Sequence, residues 1–140
     1  MKHLCLALFL GLALGAAAEA RTCTPKDAEA ADAAIDHLAT WADVYGNFKN
    51  YGHCDDGSIA EGNSEGVARL LVDKWQTLPQ LAALIKRHPA FRAYVLRQID
   101  TTLNTDDLDR IAESATAACP KGSDKLCASL KEAATKAVGQ

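Results

Sequence analysis

The chain has 140 residues, and its 15 Lys and Arg against 18 Asp and Glu leave a net charge of −3. That mild acidity is unsuited to coating a phosphate backbone, so nucleic-acid binding is not expected. The length suffices for one core and requires no second domain.

In chain order, the first element is a targeting segment. Lys2 and His3 precede an apolar run over residues 4–14, and Ala18-Glu19-Ala20 supplies an A-x-A cleavage site, so residues 1–20 read as a signal peptide. The run is shorter than the roughly 18 residues that span a bilayer, so stable membrane insertion is not expected. Neither Cys5 nor Cys23 sits in a lipoprotein box. Residues 21–140 are then the exported domain, and losing Lys2 and Glu19 leaves the net charge unchanged. Cys23, Cys54, Cys119 and Cys127 remain, an even set that predicts two disulfides in an oxidising compartment. Four cysteines permit three connectivities. The turn residues Pro120, Lys121, Gly122 and Ser123 favour Cys119 with Cys127, leaving Cys23 with Cys54. No C-x-x-C pair is present and His53 adjoins Cys54 directly, so no metal site and no cofactor is expected.

Six helices are predicted in an all-α bundle, with no stretch of period-two alternation for a strand. The first is long: Thr24 as cap, Pro25 at its first position, then Ala31, Ala34, Ile35, Leu38, Trp41, Ala42, Tyr45 and Phe48 at helical spacing, ending around Gly46-Asn47 and Gly52. The second has two possible starts, at Ser58 with Glu61 three residues on or at Ser64, and buries Val67, Leu70, Leu71 and Trp75. A third opens at Leu78-Pro79 and carries Leu81, Leu84 and Ile85; His88-Pro89 breaks it. A fourth holds Phe91, Val95, Leu96 and Ile99. The fifth, capped by Thr105, has Asp106 and Asp107 at its positive end and Leu108, Ile111, Ala112 and Ala115 inward. The sixth follows Ser123, with Leu126, Leu130, Ala133 and Ala137 on one face.

Chemistry-bearing residues concentrate between the first two helices, where residues 51–65 hold a histidine, a cysteine, four carboxylates and three glycines. The spacing of Asp55, Asp56 and Glu61 does not match an EF-hand calcium loop. His53-Asp56 is superficially similar to the histidine and aspartate of small secreted phospholipases, but only one glycine, Gly46, lies just upstream where those enzymes need a glycine-rich calcium loop. A small hydrolase or lipid-binding module using His53 and Asp56 is kept as the alternative reading. No serine sits in a G-x-S-x-G elbow, and the cysteines are expected to be oxidised, so no catalytic residue is assigned. His37 and His88 have no partner visible in the sequence, and Lys86, Arg87 and Arg92 read as a solvated basic face. The remaining reading is recognition. Asp55, Asp56, Glu61 and Glu65 supply charge, Tyr51 and Ile59 an apolar anchor, and Cys54 a tether that limits the entropy lost on binding.

The ordered landmarks of the chain resemble a known family. Tyr51-Gly52-His53-Cys54-Asp55-Asp56-Gly57, Glu61-Gly62, Val67 to Leu71, Trp75, Leu78-Pro79, Pro89-Ala90-Phe91, Ile99-Asp100, Leu103-Asn104 to Leu108, and Cys119-Pro120 to Leu126-Cys127 are similar to the periplasmic immunity proteins that neutralise type VI secretion amidase effectors. The resemblance runs over nearly all of residues 21–140. It implies an all-helical periplasmic homodimer, not an enzyme, that blocks the groove of a cysteine-dependent peptidoglycan amidase cutting between D-glutamate and diaminopimelate. Contact residues in such proteins vary with the toxin, so the six partner-binding candidates rest on charge and loop position alone.

Overall fold

A computed structural model describes residues 20–140; the predicted signal peptide, apart from Ala20, lies outside the described residues. Among them are seven α-helices and no strand: α1 (Pro25–Ile35), α2 (Trp41–Tyr51), α3 (Gly57–Asp73), α4 (Leu78–Arg87), α5 (Ala90–Arg97), α6 (Thr105–Ala117) and α7 (Asp124–Val138). The all-α class follows the helical spacing of the apolar residues, and both disulfides form as the turn chemistry favoured, Cys23 with Cys54 and Cys119 with Cys127. None of these helices is long and apolar enough to cross a membrane.

The count differs from the predicted six because the long first helix is two helices. Its amphipathic stripe continues across residues 36–40, but the backbone does not. Around Asp36 the last turn of α1 tightens, with His37 N–H donating to Ala34 O at 3.1 Å and Leu38 N–H to Ile35 O at 3.3 Å. Thr40 then caps α2: its hydroxyl accepts from Asp43 N–H at 3.2 Å and donates to the Asp43 carboxylate at 2.7 Å. A Thr-x-x-Asp box inside an apolar repeat is thus a start signal that periodicity conceals. α2 also runs straight through Gly46 and Asn47, and its end is Gly52, where one 3-10 turn reaches Cys54.

Two other predicted caps shift. α3 is one continuous helix capped by Asp56, and Ser64, far from starting it, is fully buried in its middle. Asn104, not Thr105, caps α6, its side-chain oxygen accepting from Asp107 N–H at 2.9 Å. Thr24 and Pro25 open α1 as expected.

The core is built by α2 to α7 around Trp41, Leu71, Leu81, Phe91, Ile111 and Leu130, all essentially inaccessible. α6 and α7 pair along their length as a helical hairpin whose connection is spanned by Cys119–Cys127. α1 buries only Ala31 and lies against α3. Gly62 and Gly66 make that approach possible. A Cβ at Gly62 would stand 2.6 Å from Ile35 Cδ1, and one at Gly66 2.7 Å from Leu38 Cδ1. The disulfide to Cys54 ties the segment before α1 to the end of the 3-10 turn. The corner at residues 51–57 is thereby tethered at Cys54, between the end of α2 and the start of α3.

Candidate functional site

The corner begins where α2 ends. Tyr51 closes that helix half-buried, and Gly52, His53 and Cys54 form the 3-10 turn. His53 Nε2 lies 3.2 Å from Asp27 Oδ2 on α1, beside the Cys23–Cys54 bridge. Asp27 also contacts Arg21 at 3.3 Å. The His53 ring, with help from the Thr24 hydroxyl, holds the Asp27 carboxyl below its ordinary value. The alternative reading uses His53 and Asp56 at one working site, but the chain places Asp56 at the start of α3, its carboxylate accepting from Gly57 N–H at 2.8 Å. The His53 and Asp56 roles therefore separate, one to a bond with α1 and one to a helix cap.

The four carboxylates do not form one acidic surface. Asp55 turns inward, its side chain only 7% exposed. It accepts from Asn63 Nδ2 at 2.9 Å and from Gln98 Nε2 at 2.8 Å, and Arg97 of α5 stands 3.5 Å away. The network extends on both sides: Asn47 Nδ2 of α2 donates to Asn63 Oδ1 at 2.7 Å, and the Ser64 hydroxyl is shared between Gln98 Oε1 at 3.1 Å and Asp100 Oδ2 at 3.3 Å. The Asp55 carboxylate thus joins α3 to the end of α5, and Asn63 carries the network on to α2. Two polar atoms at its edge, the Tyr94 hydroxyl and Asn47 Oδ1, are buried without a hydrogen-bond partner among the described residues. Burial, then the neighbouring Asp55 charge, pushes the Tyr94 hydroxyl well above its ordinary value of 10.0, with Arg97 opposing.

Glu65 is exposed but engaged: its carboxylate is 2.8 Å from Arg69 Nε, and the same guanidinium reaches Asp73 at 3.2 Å and the buried Asp107 of α6. Asp56 and Glu61 face solvent with no cation partner among the described residues, and Tyr51 and Ile59, nearby in the chain, are half-buried. α1, packed on α3, contributes further exposed carboxylates at Glu29, Asp32 and Asp36. Of the six predicted contact residues, Tyr51, Asp56, Ile59 and Glu61 belong to an accessible corner; Asp55 supports it from within and Glu65 serves the joint between α3 and α6. Among the described residues no group of three or more His, Cys, Asp or Glu is placed to hold a metal ion.

Sequence reasoning missed the supporting network. Its signal was present: Asn63 and Ser64 precede Val67 by four and three residues, so they lie on the same buried stripe. Polar residues in a buried stripe require partners, and partners this deep point to a shared network. A scan against protein-family models finds no matching family, and searches of curated proteins and of solved structures return no match to this chain.

Proposed function

We propose that this protein is a periplasmic immunity protein that binds and inhibits a cysteine-dependent type VI secretion amidase, one that cuts peptidoglycan between D-glutamate and diaminopimelate. The observation that carries the proposal is the corner at residues 51–61. It is pinned by Cys23–Cys54, by His53 on Asp27 and by Asp55 on Asn63 of α3 and on Arg97 and Gln98 at the end of α5, and it leaves Asp56 and Glu61 exposed and Tyr51 and Ile59 partly so. A turn fixed in advance loses little entropy when it enters a groove. The ordered landmarks of the sequence, from Tyr51 to Cys127, support the same reading, as do two disulfides suited to an oxidising compartment. Inhibition by occlusion needs shape, charge and rigidity and no chemistry from the inhibitor. In the complex, Asp56 and Glu61 face basic residues at the groove edge, and Tyr51 and Ile59 fill an apolar pocket. A homodimer accompanies this reading.

The test first asks whether an adjacent reading frame encodes a cysteine-dependent amidase; that amidase, purified, is then assayed on isolated peptidoglycan with the oxidised protein. Stoichiometric inhibition is expected. Asp56→Lys with Glu61→Lys weakens the complex by about fivefold for each close pair lost, since each pair is worth about 1 kcal/mol or more when desolvated. Asp55 is excluded from this variant because its replacement disturbs the fold. An amidase left fully active at equimolar protein ends the proposal. A folded double variant with unchanged affinity and salt dependence moves the contact away from this corner. Light scattering of the free protein checks the dimer.

A further inference from the structure

Where the C-terminal end of α1 lies against α3, the surface holds a cleft of about 300 Å³. That is the small end of the roughly 300 to 1,000 Å³ of ligand pockets, room for one long side chain rather than an extended segment. The floor of the cleft is apolar. Ile35 and Leu38, both half-buried, cover Gly62 and Gly66, which add no side chain of their own. Ala39, at an exposed position, also lines it.

The remaining lining is charged: Asp36 and Glu65 against one cation, Arg69. That guanidinium is shared among Glu65, Asp73 and Asp107, so it offsets only part of the charge it touches. Asp36, and Asp32 one turn before it, form no ion pair among the described residues. The other cations nearby are Arg110, 3.9 Å from Asp73, and Lys74, whose ammonium donates to Ala39 O at 2.8 Å. Five carboxylates thus stand against three cations in and around an apolar cleft. The end of α1 adds to the imbalance. Its last turn carries no basic residue, so no side chain of that turn offsets the negative pole of the helix dipole. Glu65 also lies four residues after Glu61, on the same face of α3, so the cleft continues the accessible corner along that helix.

We propose that this cleft seats a lysine or arginine side chain of the amidase, with its aliphatic stem on Ile35 and Leu38 and its charged head at Asp36 and Glu65. The inference rests on the reading of the protein as an amidase inhibitor, and adds to it a second contact and the charge of the residue that fills it. A long basic side chain has both halves of the chemistry the cleft asks for, an apolar stem and a terminal cation. An acidic or wholly apolar side chain would instead strip water from Asp36 and Glu65 and give nothing in return. Covered by the partner, the cation and its carboxylates form charge-assisted hydrogen bonds, about twice as strong as neutral ones.

The experiment measures the affinity of the oxidised protein for the purified amidase by calorimetry. Asp36→Asn removes a charge and keeps the shape, and Ala39→Met fills the cleft and keeps the charge. Each is expected to weaken the complex about fivefold or more. Asp36→Asn takes an acid away from the negative end of α1, so it folds at least as well as the parent and keeps the test readable if Ala39→Met melts early. Glu132→Gln, exposed on α7 and outside the cleft, makes the same change of charge and shifts affinity by less than about twofold, as expected of a screened surface charge. A double-mutant cycle then finds the occupant. Each surface lysine and arginine of the amidase is replaced by Ala in turn, and one of them loses most of its effect when combined with Asp36→Asn. A parent protein that does not bind the amidase overturns the inhibitor reading and this inference with it. A parent that binds while folded Asp36→Asn and Ala39→Met bind equally well overturns this inference alone. So does Glu132→Gln weakening the complex as much as Asp36→Asn, or a cycle in which no basic residue couples to Asp36. Light scattering is the last arm: if the cleft variants turn a dimer into monomers, the cleft belongs to a second copy of this chain and the inference is overturned.

Discussion

At the scale of single residues, the two adjacent aspartates of the corner have opposite roles, and stability measurements separate them. Asp55→Ala removes the acceptor of Asn63 and Gln98 and leaves both donors buried. A loss of about 2 to 4 kcal/mol in urea unfolding is expected, since each orphaned buried group costs about 1 to 3 kcal/mol. Asp56→Ala removes only a helix cap, at about 1 kcal/mol. Equal costs for the two would show that Asp55 does not hold the network. Tyr94 gives a pH signature. Its hydroxyl titrates above 10.0 in the folded protein, so the unfolded chain releases that proton first and the folded state retains it. The folded state therefore loses stability as pH rises past about 10. Tyr94→Phe removes this alkaline slope from thermal melts recorded between pH 8 and 11. It costs little at neutral pH, because the hydroxyl it deletes has no partner. A melting profile with the same alkaline slope in Tyr94→Phe would mean that other groups set it.

At the scale of elements, α1 is the helix that buries fewest residues, Ala31 alone, and it lies against α3. Gly62→Ala tests that joint. Alanine gains about 1 kcal/mol of helix propensity over glycine. Here it meets three atoms of Ile35, the nearest at 2.6 Å. Ile35 is β-branched and has few rotamers to yield, so α1 must shift. Overpacking of this kind costs about 1 to 3 kcal/mol, and a net destabilisation is expected despite the better helix former. Hydrogen exchange then rises in α1 before it rises in α6 and α7. Gly66→Ala, which meets chiefly the flexible end of Leu38, costs less. If Gly62→Ala is more stable than the parent, the close packing of α1 on α3 is not what fixes that helix.

At the scale of the whole molecule, the two disulfides differ in what they close. Cys23–Cys54 spans 31 residues and Cys119–Cys127 spans 8. By the chain-entropy relation, they restrict the unfolded chain by about 3.7 and about 2.5 kcal/mol respectively. Replacing Cys23 and Cys54 by Ala therefore lowers the urea midpoint more than replacing Cys119 and Cys127. The first pair carries a second consequence, because without it the corner at residues 51–57 and the segment before α1 lose their common anchor. Loss of amidase inhibition with folding preserved is the expected result for that variant. The short bridge spans the α6–α7 connection, away from that corner, so its loss is expected to leave inhibition intact.

The sequence by itself determined the all-helical class, most helix starts and stops, and the number of oxidisable cysteines. These are local matters: a 3.6-residue period, Thr24 before Pro25, and Pro79 and Pro89 near helix starts all act within a turn or two of the chain. Even the error at residues 36–40 was local, since Thr40 and Asp43 carried the start signal beneath an unbroken apolar stripe. Only the tertiary structure decided which of the carboxylates between residues 55 and 65 meet water. Asp55 turns inward because Gln98 and Arg97, on α5, come to stand beside it, and Glu65 is engaged by an arginine that also reaches Asp107 on α6. His53 found Asp27 rather than Asp56 for the same reason. A side chain's direction depends on partners that arrive from distant segments, and the pattern of one strip of sequence holds no record of their arrival.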